Sequence, residues 1–181
     1  MSREMTIMLG VVAENRRSTS RWIADYWIPV GVMLAPADLR SGDVLVSDER
    51  MTRYYMGRFE MTFHAADTEA YIENLDSGNP ALYVVLRRDA DGIHPLPWYV
   101  HTVTGSPHAA QDCEVGSEDL IERVPMPPEI LRAVLEFLDA HHVEQKFVKR
   151  QRDRVDPEEH KFGKQPIFLN RNRPGGGGLD G

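Results

Sequence analysis

Histidines and a cysteine are the side chains in this sequence with the most direct route to chemistry. His141 and His142 are followed by Glu144, and imidazole and carboxylate groups are common zinc ligands. Adjacent positions on a helix point about 100° apart, so the two rings do not converge on one ion. Histidines in the last turn of a helix also interact favourably with its dipole. The pair therefore indicates helix capping or partner contact rather than a metal site.

A second set of histidines, His94, His101 and His108, is spaced by seven residues. Only His101 falls on a predicted strand, and the other two lie in predicted loops beside prolines. Three convergent ligands stay open as an alternative, but metal sites are usually recognised by tighter spacing. We therefore predict no metal and no bound cofactor.

Cys113 is the only cysteine, so the chain can form no intramolecular disulfide and no cysteine-based zinc or iron–sulfur site of its own. His108 and Asp112 stand nearby and could activate a nucleophile, but a lone cysteine is more often a small buried apolar residue. The glycine run 175–178 follows no strand and lacks the Lys-Ser/Thr ending of a phosphate loop. These patterns predict a protein that is not an enzyme.

The elements that would position these residues are mainly strands. Short apolar or alternating runs predict strands at residues 6–13, 27–35, 52–65, 81–87, 98–104 and 120–124. In residues 52–65 the side chains alternate, with Phe59, Met61 and Phe63 on one face and Arg58, Glu60, Thr62 and His64 on the other. Pro29 indicates an edge position or a bulge, and Gly57 indicates a turn or a bulge.

Helices are predicted at two places, and an amphipathic segment precedes them. Residues 68–75 are amphipathic, and Ser106 with Pro107 predicts the capped start of a short helix. The C-terminal helix begins at Pro127 and Pro128, and its predicted apolar stripe consists of Ile130, Leu131, Val134, Leu135 and Leu138. The fold class is α+β: a mainly antiparallel β-sheet or barrel-like domain over residues 1–142, with a C-terminal amphipathic helix. Residues 143–181 are predicted to be a basic, partly flexible extension, called here the C-terminal extension.

Charge separates the two segments. Residues 1–142 carry 12 arginines, no lysine and 22 acidic residues, whereas the C-terminal extension carries nine basic and six acidic residues. A weakly cationic extension on an acidic body gains little from phosphate contacts, so we predict no nucleic-acid partner. We predict instead that the extension binds a larger, acidic protein through Lys146, Phe147, Val148, Lys149, Arg150 and Arg152. The alternative is a solvated, charged helix end.

Two further groups of side chains could contact a ligand or a partner. Trp22, Tyr26 and Trp27 cluster before the second predicted strand; core packing is the default for such rings, and an exposed interface anchor is the alternative. Arg53, Arg58 and Arg87 could converge on a small anionic ligand in a polar cavity. No stretch has the roughly 20 apolar residues of a membrane helix, and the expected location is the cytoplasm.

Several stretches, in this order, resemble a bacterial family of unknown function. They are GVVAENRR, WIPVGVML, TEAYIENL, ALYVVLRR, TGSPHAAQD, ERVPMPP and HHVEQKFVKRQR, which together cover residues 10–152. Members of that family are typically encoded beside molybdenum- or tungsten-dependent formate dehydrogenases and their maturation factors. The resemblance implies an accessory role in assembly, or a small extra subunit. It does not support synthesis of molybdopterin guanine dinucleotide, because the stretch after the first predicted strand, ENRRSTSRW, contains no glycine.

Together, the residues and the resemblance predict a non-catalytic accessory or assembly protein of a formate dehydrogenase system, whose partner is a dehydrogenase subunit or a maturation factor. The alternative is a module that binds a small ligand or a molybdopterin-type cofactor.

Overall fold

The computed structural model describes residues 3–20, 22, 25–114 and 118–142. Seven strands lie within these ranges: β1 Glu4–Arg16, β2 Tyr26–Leu34, β3 Val44–Ser47, β4 Met51–His64, β5 Ala81–Arg88, β6 Trp98–Thr104 and β7 Leu120–Pro125. Three helices accompany them: α1 Thr68–Asp76, α2 Pro107–Glu114 and α3 Pro128–His141. A single 3-10 turn, Ala65–Asp67, leads into α1.

The strands form two antiparallel sheets. The first sheet has the order β2-β1-β4-β3, and the second has the order β6-β5-β7. The α+β prediction is therefore confirmed. In the part of the chain that the structure describes, the strands make two separate sheets and not a closed barrel.

Alternation along β1 divides the first sheet into two faces. Leu9, Val11 and Ala13 join the main hydrophobic core. Their neighbours Gly10, Val12 and Glu14 point the other way, to what we call the outer face, because successive side chains of a strand alternate. The predicted alternation of β4 is confirmed, since Met61 and Phe63 are buried while Glu60 and His64 are exposed.

Both irregular positions predicted in the strands are found. Pro29 lies on β2, an edge strand, where proline is tolerated, and the β1–β2 register shifts between Val12 and Ala13, the residue paired with Pro29. Gly57 has a φ of 117° and lies where the β1–β4 register shifts between Val11 and Val12. A β-branched residue would be strained at this φ, so glycine permits the bulge.

One hydrophobic core joins both sheets and α3. Its fully buried members include Leu82, Val84 and Leu86 of β5 and Ile130 of α3. Burial of each such side chain contributes about 1.5–3 kcal/mol relative to exposure. The apolar stripe of α3 is mostly as predicted, with one exception: Leu135 is half exposed and Phe137 is buried in its place.

Two buried polar side chains stabilise α1 and α2. The Ser106 hydroxyl accepts a hydrogen bond from the Ala109 N–H at 3.3 Å, which confirms the predicted cap of α2. Asn74 of α1 is buried; its amide nitrogen donates to the carbonyl oxygens of Ala81 and Gly105 at 2.7 and 2.8 Å. Its carbonyl oxygen accepts from the Ala81 N–H at 3.2 Å. Asn74 thus links α1 to β5 and to the end of β6.

Two differences from the predicted elements concern the N-terminal half. Strand β3 was not predicted, and β1 extends to Arg16, so the predicted loop before β2 is shorter than expected. The C-terminal extension lies outside the described residues, and its separation from the body stays a prediction. None of the helices in the described ranges has both the length and the apolar character needed to cross a membrane.

Candidate functional site

A cleft lies between two strands of different sheets that run side by side without pairing with each other. The second half of β4 lies beside β6, and β2 lies beside β7, with no ladder hydrogen bonds between the members of either pair. Between β4 and β6 a cavity of about 370 Å³ opens, which we call the seam cleft. Its volume falls at the lower end of the range of small-molecule sites.

The walls of the seam cleft mix apolar and hydroxyl side chains. Phe59, Met61 and Val103 supply apolar surface. Hydroxyl groups come from Thr62, Thr102, Thr104 and Ser106. Glu60 and Asp67 add carboxylates, and none of the described lining residues is a lysine or an arginine. Such a lining suits a neutral or cationic ligand that makes several hydrogen bonds, and it opposes an anionic one.

Tyr71 contributes a buried phenol to the seam cleft. Its side chain is 4% exposed, and its hydroxyl accepts a hydrogen bond from the His64 backbone N–H at 3.2 Å. Burial raises the pKa of Tyr71. The phenol is neutral at physiological pH, and its hydroxyl also interacts with Asp67, another residue of the cleft lining.

The residues considered as a nucleophile and a base, Cys113, His108 and Asp112, all lie on α2. His108 lies 3.2 Å from the Glu73 carboxylate, which connects α2 to α1. Cys113 lines the seam cleft and is partly buried. His64, another residue of the cleft, has its Nδ1 atom 3.2 Å from a carboxylate oxygen of Glu4.

The remaining histidines have separate surroundings. His94 stacks on Tyr99 with ring centroids 4.4 Å apart, and His141 lies against Phe137 at 4.6 Å. The backbone N–H of His142 donates to the Leu138 carbonyl oxygen at 2.8 Å and closes the last turn of α3. Within the described ranges, no three His, Cys, Asp or Glu side chains form a group that could hold a metal ion. Glu144 lies outside those ranges.

The three arginines considered for an anion site each contact a different partner. Arg58 donates to the Pro36 carbonyl oxygen at 2.8 Å. Arg87 makes a two-point contact with the Asp119 carboxylate at 3.0 and 2.7 Å. Arg53 contacts Glu14 instead, so the structure does not bring the three guanidinium groups to one site.

Glu14 is a buried carboxylate held by two arginines on the outer face. Arg53 donates to Oε1 at 2.6 and 3.1 Å, and Arg16 donates to Oε2 at 2.9 Å. Burial raises the pKa of Glu14, but the hydrogen bonds from Arg53 and Arg16 outweigh it, and the net pKa lies below the ordinary value of 4.5. Two cations share one anion here, which leaves one positive charge in excess.

The aromatic cluster of Trp22, Tyr26 and Trp27, at the start of β2, divides between the two predicted roles. Trp27 packs against Tyr54 with ring centroids 5.1 Å apart, so it is a core-side residue. Trp22 is 95% exposed and Tyr26 is 48% exposed. These two rings are therefore available to a partner.

The predicted partner-binding residues, Lys146, Phe147, Val148, Lys149, Arg150 and Arg152, all lie outside the described residues. Their role stays a prediction. The seam cleft was not predicted from the sequence, because no pattern within β4 or within β6 shows that these two strands lie side by side.

Comparison with known proteins identifies one family. The model of a family described as a protein of unknown function (DUF3305) matches residues 8–151. No curated protein and no solved structure matches the chain. The family match continues beyond the end of α3 at His141 and includes the first nine residues of the C-terminal extension.

Proposed function

The chain belongs to the DUF3305 family, and from this premise we propose that it is a non-catalytic accessory or assembly protein, or a small extra subunit, of a molybdenum- or tungsten-dependent formate dehydrogenase system. The resemblance of the sequence to a family encoded beside such enzymes motivates the choice of system. The proposed location is the cytoplasm, where the dehydrogenase subunits and their maturation factors would be met.

The span of the family match carries the docking part of the proposal. Residues 143–151 belong to the matched region, so the family unit includes the segment with Lys146, Phe147, Val148, Lys149 and Arg150. The body before it has ten more acidic than basic residues, whereas the C-terminal extension has three more basic than acidic ones. Cationic groups with two apolar neighbours suit an acidic protein surface that has an apolar pocket.

Co-purification with formate dehydrogenase from cells that express both proteins tests this proposal. The test variant carries Lys146→Glu, Lys149→Glu and Arg150→Glu in the full chain. The matched control carries Lys161→Glu, Lys164→Glu and Arg171→Glu, which change the charge equally beyond the matched region. We expect the test variant to lose the dehydrogenase and the control to retain it. Retention of the dehydrogenase by both variants would contradict docking through this segment.

A second candidate function, small-ligand binding, is favoured by the seam cleft. The cavity has the size for a small molecule, and its hydroxyl groups could bind the polar edge of a pterin-type ring. Because Glu60 and Asp67 line it without lysine or arginine, an unphosphorylated pterin fits this site better than formate or a phosphorylated pterin.

Thermal unfolding with each of these three compounds tests the second candidate. We expect the unphosphorylated pterin alone to raise Tm, since a ligand that binds only the folded state stabilises it. Ala109 is an exposed residue of the cleft lining, so Ala109→Phe should fill the cleft and remove the rise. No rise with any of the three compounds would reject the ligand-binding function.

A further inference from the structure

A second groove lies on the outer face of the first sheet. Val12 and Gly31 form its floor, Leu45 and Val46 of β3 form one wall, and Arg53 is its one charged lining residue among those described. The volume is about 280 Å³. Strands β2 and β3 are the two edges of the sheet, so a groove lined by both requires the sheet to curl around its outer face. We call this feature the outer groove.

Gly31 is the reason that the outer groove is empty. A Cβ atom built on Gly31 meets no heavy atom within 4 Å, and its backbone needs no positive φ. Every other described glycine has either a positive φ or a neighbour close to the Cβ position. A glycine inside a strand weakens it and often marks a place where a ligand or another backbone approaches closely. No described residue of this chain makes that approach.

Strand β3 offers a free edge beside the groove. Only β4 pairs with it among the described strands, and Val44 and Val46 are 56% and 45% exposed. An exposed apolar edge strand is a template for pairing with another polypeptide. The acidic side chains at its two ends accept hydrogen bonds from nearby backbone groups: Asp43 accepts from the Arg40 N–H and Asp48 accepts from the Arg50 N–H, both at 2.7 Å.

The charges near the groove favour an acidic occupant. Arg53 and Arg16 share the single carboxylate of Glu14, and their side chains are 40% and 43% exposed. Residues 1–58, which include β1 to β3, carry eight arginines and seven acidic residues, whereas residues 59–142 carry four and 15. A carboxylate on a partner would therefore meet attraction at this groove and repulsion over much of the remaining body.

We propose that the outer groove and the edge of β3 bind an extended segment of a partner protein by strand addition. The segment pairs with β3, places an apolar side chain above Gly31 and directs a carboxylate toward Arg53. Backbone hydrogen bonds would supply much of the affinity, and the groove with Arg53 would supply the sequence preference. The inference does not rest on formate dehydrogenase being the partner, nor on the C-terminal extension.

Selection from a random twelve-residue peptide library displayed on phage, with the full chain as the target, tests the proposal. We expect enriched peptides to alternate apolar and polar residues and to carry a carboxylate. A synthetic copy of the most enriched peptide should bind Gly31→Val at least tenfold more weakly than the unchanged chain. Leu135→Ser, a change at a half-exposed residue of α3, should bind the peptide as well as the unchanged chain does.

Three results would overturn the proposal. The first is equal peptide binding by the unchanged chain and Gly31→Val, with both folded by circular dichroism. The second is enrichment of peptides without a carboxylate, or no enrichment. The third is occupation of the site by a second copy of this chain, seen as self-association that Gly31→Val abolishes. The charge-reversal variant of Lys146, Lys149 and Arg150 should still bind the peptide, which separates this result from failure of the proposed function.

Discussion

The outer face of the first sheet is filled at Gly10 and open at Gly31, although the two glycines lie on neighbouring strands only two register positions apart. We call the position of Gly10 the filled end of this pair and that of Gly31 the empty end. A Cβ on Gly10 would lie 2.6 Å from Cε2 of Tyr55, while a Cβ on Gly31 would meet nothing within 4 Å. Gly10 makes room for a ring of the same chain. Gly31 makes room that no described residue occupies, so one residue type serves internal packing at one end and an open groove at the other.

The segment between β2 and β3 accounts for the filled end. Arg58 donates to the Pro36 carbonyl oxygen at 2.8 Å, and the Ser41 hydroxyl donates to the Met56 carbonyl oxygen at 2.9 Å. The Gly42 N–H donates to the carbonyl oxygen of Tyr55 at 2.9 Å. These bonds hold the segment over the Tyr55 ring. No corresponding segment of the described chain covers Gly31.

The largest expected effect is at the filled end. Gly10→Val places side-chain atoms where the fully buried Tyr55 ring and Pro36 already lie, so it should reduce the free energy of unfolding by about 3 kcal/mol. Urea denaturation measures this change. A loss below about 1 kcal/mol would mean that the Tyr55 ring can move aside, and the two ends would then differ less than their geometry indicates.

Glu14, two residues beyond the Val12–Gly31 pair on β1, should give the next largest effect. Glu14→Gln removes the charge that holds Arg16 and Arg53, and it should cost about 2 kcal/mol at neutral pH. Glu49→Gln, a change at an exposed carboxylate, serves as the control and should cost almost nothing. A loss as small as that of the control would show that the two arginines contribute little.

The same pair of variants gives a pH dependence. The pKa of Glu14 is lower in the folded chain than its ordinary value of 4.5, so its stabilisation is complete above that pH and is lost as pH falls through the folded pKa. Urea titrations from about pH 6 to pH 3 should therefore show a steeper loss for the unchanged chain than for Glu14→Gln. Parallel losses would contradict the depressed pKa.

Tyr55→Phe should give a smaller effect of opposite sign. The Tyr55 hydroxyl is buried and makes no hydrogen bond of standard geometry in the described part of the chain. Burial raises the pKa of Tyr55, and the nearby Arg58 guanidinium opposes that rise only in part. Removing an unpaired buried hydroxyl should increase stability by about 1 kcal/mol. Thermal unfolding measures this gain, and a loss of stability instead would indicate that the hydroxyl has a partner.

The smallest expected effect is at the empty end. Gly31→Val adds a β-branched side chain to a strand position with open space, and it should raise stability by about 0.5–1 kcal/mol. Urea denaturation of Gly31→Val and Gly10→Val side by side gives the direct contrast, because the same type of substitution should raise the free energy of unfolding at one glycine and lower it at the other. Destabilisation at both glycines would remove the distinction on which the outer groove depends.

Local sequence patterns were sufficient for most of the elements. The alternation of residues 52–65 predicted β4 and its buried face, and Ser106 with Pro107 predicted the start of α2. Each of these features depends on neighbours within a few residues. The short strand β3 was missed because four residues between Asp43 and Asp48 show too little alternation, and only pairing with β4 identifies them.

Features that depend on tertiary arrangement were not predictable in the same way. Leu135 and Phe137 both fit an amphipathic helix, and only packing against the sheets decides which one is buried. Arg53, Arg58 and Arg87 looked alike in the sequence, but each contacts a different partner in the fold. The two cavities follow from strand edges that are distant in sequence, which explains why no motif indicates either of them.

The amide of Asn74 has a consequence for how the molecule opens. It contacts the backbone of Ala81 twice and that of Gly105 once. If α1 detached while β5 and the end of β6 stayed in place, these buried polar groups would be left unpaired. These three elements should therefore behave as a single cooperative unit in native-state hydrogen exchange. The short strand β3 is bonded along one edge only among the strands that the structure describes, and it should open in a separate event of lower free energy.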